Sequence, residues 1–138
     1  MSVGNIINLL GYFGLIPFVA SAILVASDSS YSETAGLIVN TYAFGIICFL
    51  TGSWWGMNCG QGNRMIILLS NVFFLLALLI LVLTPDWWPL AATILLIAIF
   101  SLELQKPLFP TLSAAYRKMR ATLTLISAGA MLSIHLLG

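Results

Sequence analysis

The sequence predicts an all-α integral membrane protein: five transmembrane helices, with an amphipathic helical extension before the fifth. Three observations carry that prediction. Of 138 residues, 61% are hydrophobic and 7% are charged, where a soluble domain carries about 25% charged residues. So few charges cannot cover a core with polar surface, and lipid must be the solvent for most of the chain. Five apolar stretches approach the roughly 20 residues that a helix needs to cross a hydrocarbon layer about 30 Å thick. Helix is the expected form, because an open strand leaves backbone groups unpaired in lipid. Finally, five crossings place every Lys and Arg on one side of the membrane, as the positive-inside rule requires.

The chain reads as one domain, 1–138, with no internal repeat. The first span is 6–26. Pro17 interrupts it and frees the carbonyl of Phe13, so a kink is expected there. No basic segment precedes this span, so it is expected to stay in the mature protein. The turn-rich SDSSYSET follows. The second span is 35–55, followed by GMNCGQGN. Cys48 and Cys59 are eleven positions apart, roughly 16 Å along one helix. A disulfide needs Cα atoms within about 7 Å, so both read as small apolar fillers. No CxxC or Cys/His cluster suggests a metal site.

The third span, 65–83, stops at Thr84-Pro85. The fourth, 87–104, is followed by QKPLFPT. The fifth, 121–137, is short and is preceded by the amphipathic stretch 109–120. There Phe109, Leu112, Tyr116, Met119 and Leu123 recur at spacings of three and four, with Arg117, Lys118 and Arg120 behind them. Pro110 suits a first helical position. The stretch reads as a helix at the membrane interface, its basic end able to meet anionic headgroups.

Arg64, Lys106, Arg117, Lys118 and Arg120 fall on the side of the amino terminus; Asp28, Glu33 and Asp86 fall opposite. The first side is therefore expected to be cytoplasmic, or the matrix side in a mitochondrion. Net charge is +1, and no basic-aromatic surface is available to bind nucleic acid.

Trp54 and Trp55 end the second span and Trp87 and Trp88 open the fourth, which fits an aromatic belt at each boundary. Gly52, Gly56 and Gly60 repeat every four residues and read as a helix-packing face; Gly129 with Ser133, and Gly11 with Gly14, are weaker versions. No ionisable residue lies at mid-bilayer, which counts against proton or cation pumping. Glu103 lies near the cytoplasmic face, with Arg64 or Arg120 as its candidate partner. Asn40, Ser70, Asn71, Thr122, Thr124 and Ser127 lie within spans, and each is expected to find a partner across helices. The lone His135 reads as an interfacial group at a helix end.

Three runs, LGYFGLIPFVASAIL (10–24), YAFGIICFLTGSWWG (42–56) and LQKPLFPTLSAAYRKMRATLTLI (104–126), resemble the small membrane family called domain of unknown function 3429. The strongest motif is Tyr116-Arg117 with Arg120 and Leu123-Thr124. The first is Leu10-Gly11-Tyr12 with Gly14, Pro17 and Phe18. The resemblance implies a five-helix protein of the bacterial inner membrane, with a mitochondrial relative in animals. It implies no activity. The family tends to carry His-Trp-Gly where this chain has Trp54-Trp55-Gly56, so a histidine cofactor site does not transfer. The implied location is the bacterial plasma membrane, amino terminus cytoplasmic and carboxyl terminus periplasmic, or the mitochondrial inner membrane in a eukaryote.

Three functions follow, in order. The first is a scaffold, accessory subunit or assembly factor for a larger membrane complex, or a homo-oligomer, using the small-residue faces. The second is a site for a lipid or quinone-like molecule at the cytoplasmic interface, formed by Trp54, Trp55, Asn71, Tyr116, Arg117 and Arg120. The third is a transporter or channel, which the lack of repeats and of intramembrane charge disfavours. No catalytic constellation is present in the sequence, and no cofactor is specified by it.

Overall fold

The computed structural model describes residues 2–27, 30–60, 62–105, 108–109 and 112–137. Asp28, Lys106 and Pro110, which entered the charge and capping arguments, lie outside these residues. The helices are α1 (Val3–Phe13), α2 (Ile16–Ala26), α3 (Ser32–Asn58), α4 (Arg64–Leu83), α5 (Trp88–Glu103) and α6 (Ala114–Leu137), with a 3-10 turn at Pro85–Trp87 before α5. With α1 and α2 taken as one broken span, five helices among the described residues are long and apolar enough to cross a membrane.

Local chemistry sets the breaks. The first span is interrupted at Gly14 and Leu15, and Pro17 sits in the first turn of α2, where a missing N–H costs nothing. Ser2 caps α1 by accepting from the Asn5 N–H at 3.2 Å. Between α3 and α4, Gly60 has φ +139°, a backbone conformation that favours glycine. The Asn58 side chain accepts from the Asn63 N–H at 3.0 Å, and Asn63 caps α4 by accepting from the Met65 N–H at 2.8 Å. Gly60 and the Asn58–Asn63 bond thus reverse the chain.

The five spans close into a ring in which α2 lies between α3 and α6, α4 lies against α3 and α5, and α5 packs on α6. Contacts between α3 and α5 cross the middle. On α3 the buried residues Val39, Ala43, Ile47, Leu50 and Trp54 recur every three or four positions and form one inward face. Trp88, Ala92, Leu96 and Ile99 on α5 and Met131 and Ile134 on α6 complete the core. The outer surface is apolar, with Leu37, Phe49, Leu125 and Leu136 exposed. That inside-to-outside pattern suits a bundle whose solvent is hydrocarbon.

The amphipathic extension is continuous with the fifth span, since α6 starts at Ala114 and runs to Leu137. Its apolar stripe faces the bundle: Met119 is buried, and Phe109, just ahead of the helix, is 2% exposed against Trp54 with ring centroids 5.2 Å apart. Contact with the core claims Phe109 and Met119 of this face, while Leu112, Tyr116 and Leu123 are half-buried.

The tryptophan pairs divide. Trp54 and Trp88 are fully buried, while Trp55 and Trp87 face outward. An aromatic belt accounts for the outer member of each pair only. Trp88 Nε1 donates to the Asn40 carbonyl at 2.9 Å, joining α5 to α3. His135 lies beside Trp87, centroids 5.6 Å apart.

Most of the polar groups expected to bridge helices bond within their own. Ser70 and Asn71 both donate to the Ile67 carbonyl, Thr122 to Lys118 and Ser127 to Leu123. A hydroxyl back-bonding one turn is satisfied without a neighbour, and an amide in part. The Asn40 side-chain oxygen is buried without a partner among the described residues. Cross-helix bonds come instead from Tyr42, Trp54, Trp88, Thr93 and Arg120.

Candidate functional site

At the end of the bundle where α3 and α5 finish and α6 begins, a polar cluster is enclosed by apolar side chains. Arg120 Nε donates to Glu103 Oε2 at 3.0 Å, and the two side chains are 7% and 3% exposed. Trp54 Nε1 donates to the other carboxylate oxygen at 3.2 Å. Arg120 Nη1 donates to Thr124 Oγ1 at 3.4 Å, and its guanidinium lies 5.9 Å from the Phe100 ring centroid. Arg120 Nη2 is buried and has no partner among the described residues. Three helices thus converge on one ion pair: α3 through Trp54, α5 through Glu103 and α6 through Arg120. Of the two partners considered for Glu103, the fold selects Arg120; Arg64 is exposed at the start of α4.

Arg120 also forms part of the wall of a cavity of ≈ 390 Å³. That size falls within the roughly 300–1,000 Å³ typical of small-molecule sites. Leu10 and Gly11 of α1 and Phe18 of α2 line one side, Tyr42, Ile46, Phe49 and Leu50 of α3 another, and Tyr116, Met119, Leu123 and Ser127 of α6 a third. From Tyr116 to Ser127 the cavity follows α6 for about 16 Å. Its wall is apolar except for Tyr42, Tyr116, Arg120 and Ser127. Tyr42 Oη donates to the Gly14 carbonyl at 2.9 Å, tying α3 to the break between α1 and α2. The α1 wall is the loosest, since no residue of α1 is buried. It is held at Gly11, where an added Cβ would come within 3.2 Å of Met119 Sδ and 3.3 Å of Leu123 Cδ1.

The residues expected to form a ligand site separate into three groups. Tyr116 and Arg120 line the cavity. Trp54 and Arg117 stand behind it: Trp54 supports Glu103, and Arg117 Nη2 donates to the Phe109 carbonyl at 2.7 Å, holding the segment ahead of α6. Trp55 and Asn71 are exposed on the outer surface, away from this cluster. Gly52, Gly56 and Gly129 also face outward, and an added Cβ at any of them would meet no atom within 4 Å. Ser133 donates to the Gly129 carbonyl of its own helix at 2.8 Å. Among the described glycines of the spans, Gly11 meets a neighbouring helix most closely.

Sequence reasoning missed the α1, α2 and α3 walls of the cavity. The available signal was the small pair Gly11 and Gly14, which meet Met119 and Leu123 of α6 and Tyr42 of α3 respectively, but nothing in a linear pattern says which helix lies opposite a glycine.

A family model described as "Protein of unknown function (DUF3429)" matches residues 3–137, nearly the whole chain. The chain belongs to this family. The match spans all five membrane-crossing helices, so the DUF3429 unit and the bundle are the same object. Comparison with curated proteins and with solved structures gives no match.

Proposed function

We propose that this DUF3429 protein binds a small amphiphilic molecule of the membrane, a lipid or quinone-like compound, in the cavity between α1, α3 and α6. The observation that carries the reading is a buried guanidinium in the wall of a ligand-sized, mainly apolar cavity whose other polar side chains are Tyr42, Tyr116 and Ser127. The cavity is open at the outer surface, where its lining residues Leu10 and Phe49 are exposed, so a molecule dissolved in the membrane has access to it. A few polar groups in an apolar pocket are what orients a small ligand.

The distribution of Lys and Arg supports an orientation with the Arg64 end cytoplasmic and the carboxyl terminus periplasmic, in a bacterial plasma membrane. The cavity then opens within the inner half of the bilayer, where a membrane-dissolved molecule reaches it sideways.

The test is native mass spectrometry of protein extracted gently from its own membrane, with released small molecules identified. A reproducible amphiphile that disappears in a Leu123→Trp variant is the expected result. A wild-type chain that never retains one sinks the reading.

A role as scaffold, accessory subunit or assembly factor is favoured by a different observation, the outward Gly52 and Gly56 on α3, which leave space for another backbone. Recovery of one protein partner in the same spectra, lost in Gly52→Leu, would support that role.

A further inference from the structure

We infer that a second copy of this chain covers the outer face of α4, with the Asn71 carboxamides of the two copies hydrogen-bonded to each other across a two-fold axis. The cavity plays no part in this contact: α4 lies across the ring from α2, and no residue of α4 lines the cavity.

Asn71 stands seven residues beyond Arg64 in a helix of 20 residues, about 10 Å into a span of roughly 30 Å. It is exposed on the outer surface. A carboxamide has two N–H donors and an oxygen that accepts. One N–H donates to the Ile67 carbonyl at 2.9 Å. The other N–H and the oxygen have no partner among the described residues. Hydrocarbon offers neither group a partner, so at this depth an exposed amide is costly unless another chain meets it.

A second copy supplies the complement. The free half of the amide is one donor and one acceptor, so two of them face to face exchange two hydrogen bonds. Copies inserted with the same orientation are related by an axis along the membrane normal, which puts each Asn71 at the depth of the other. The surrounding surface suits such a contact. Leu68, Asn71, Leu75, Leu78 and Val82 are all exposed and recur at spacings of three and four. That is the seam of a two-helix coil, in which one polar residue at a core position fixes register and chain number. Between Leu68 and Val82 no charged residue interrupts the seam. The buried residues of α4, Ile66, Ser70 and Ala77, are on the opposite side of the helix.

The test uses the full chain in membrane vesicles. In a Cys48→Ala, Cys59→Ala background, Leu75→Cys marks the seam and Leu125→Cys marks the outer face of α6. With a mild oxidant, Leu75→Cys chains are expected to form a disulfide-linked dimer and Leu125→Cys chains to stay monomeric. At low protein density, adding Asn71→Leu should weaken the dimer about tenfold, the weight of two interhelical hydrogen bonds. Asn71→Gln should retain it. No dimer through Leu75→Cys, equal cross-linking at both positions, or a dimer that Asn71→Leu leaves unaltered overturns the inference. So does a Leu75→Cys adduct to a different protein in native membranes, which makes that protein the occupant. A thermal midpoint lowered by Asn71→Leu in dilute micelles also overturns it, by assigning the amide to the fold of one chain.

Discussion

Glu103, the last residue of α5, and Arg120, in the second turn of α6, meet at 3.0 Å with both side chains buried. Seventeen positions separate them in sequence, and the connection between carries Phe109 into the core. The pair ties α5 to α6 and, through Trp54, both to α3.

Removing one member should cost more than removing both. Arg120→Leu leaves a buried carboxylate with no countercharge, an expected loss of about 3–5 kcal/mol. The double variant Glu103→Leu, Arg120→Leu should recover most of that, because two apolar side chains need no partner. Equilibrium unfolding in detergent micelles checks the order. A double variant as unstable as the single one would mean that the pair contributes through packing and not charge.

The two adjacent tryptophans should behave differently. Trp54→Phe keeps most of the ring packing against Phe73 and Phe109 but removes the N–H that Glu103 accepts. Loss of a hydrogen bond to a charged group is expected to cost about 1.5–3 kcal/mol. Trp55→Phe, at an exposed position, should shift the thermal midpoint little. Equal shifts would contradict the separation of the pair into an inner and an outer member.

Glycines divide in the same way. Gly11→Val presses a side chain onto Met119 and Leu123, and overpacking of this kind costs about 1–3 kcal/mol. Gly52→Ala meets open space and should leave the unfolding of the isolated chain unaltered or improved. Should Gly52→Ala instead lower stability in the membrane but not for dilute chains in detergent, its face is covered by another chain.

Orientation is accessible through a native side chain. Cys59 is free and exposed in the connection between α3 and α4, on the Arg64 side. In a Cys48→Ala background, a membrane-impermeant maleimide should label Cys59 in inverted vesicles and spare it in intact cells. Labelling from outside would reverse the proposed topology.

Much of the architecture was legible because each span is a local property. Mean hydropathy, Pro17, Thr84-Pro85 and Gly60 report on the chain within a turn or two of themselves, and the expected spans differ from the observed helices by a few residues at their ends. The second span was read three residues short at each end, where polar residues such as Glu33 and Asn58 continue the helix. The start of α6 was harder, because a stripe of Phe109, Met119 and Leu123 looks the same whether it meets headgroups or another helix.

The candidate site was legible in part. Tyr116 and Arg120 were read as two of six residues of a site at the cytoplasmic interface, and both line the cavity. Trp55 and Asn71 were grouped with them on membrane depth alone. Depth is shared by every residue at the same level around the ring, and says nothing of the direction in which a side chain points.

By itself the sequence determined that this chain lives in lipid, crosses it five times and gathers its cations at one end, since solvent preference and span length follow from composition. Tertiary structure decided which of Trp54 and Trp55 turns inward, that Glu103 belongs to Arg120, and that α1, α3 and α6 leave a cavity between them. These depend on the rotation of each helix about its own axis. In lipid that rotation is set by a few contacts between helices, such as Gly11 with Met119 and Tyr42 with Gly14, because inward and outward faces are almost equally apolar.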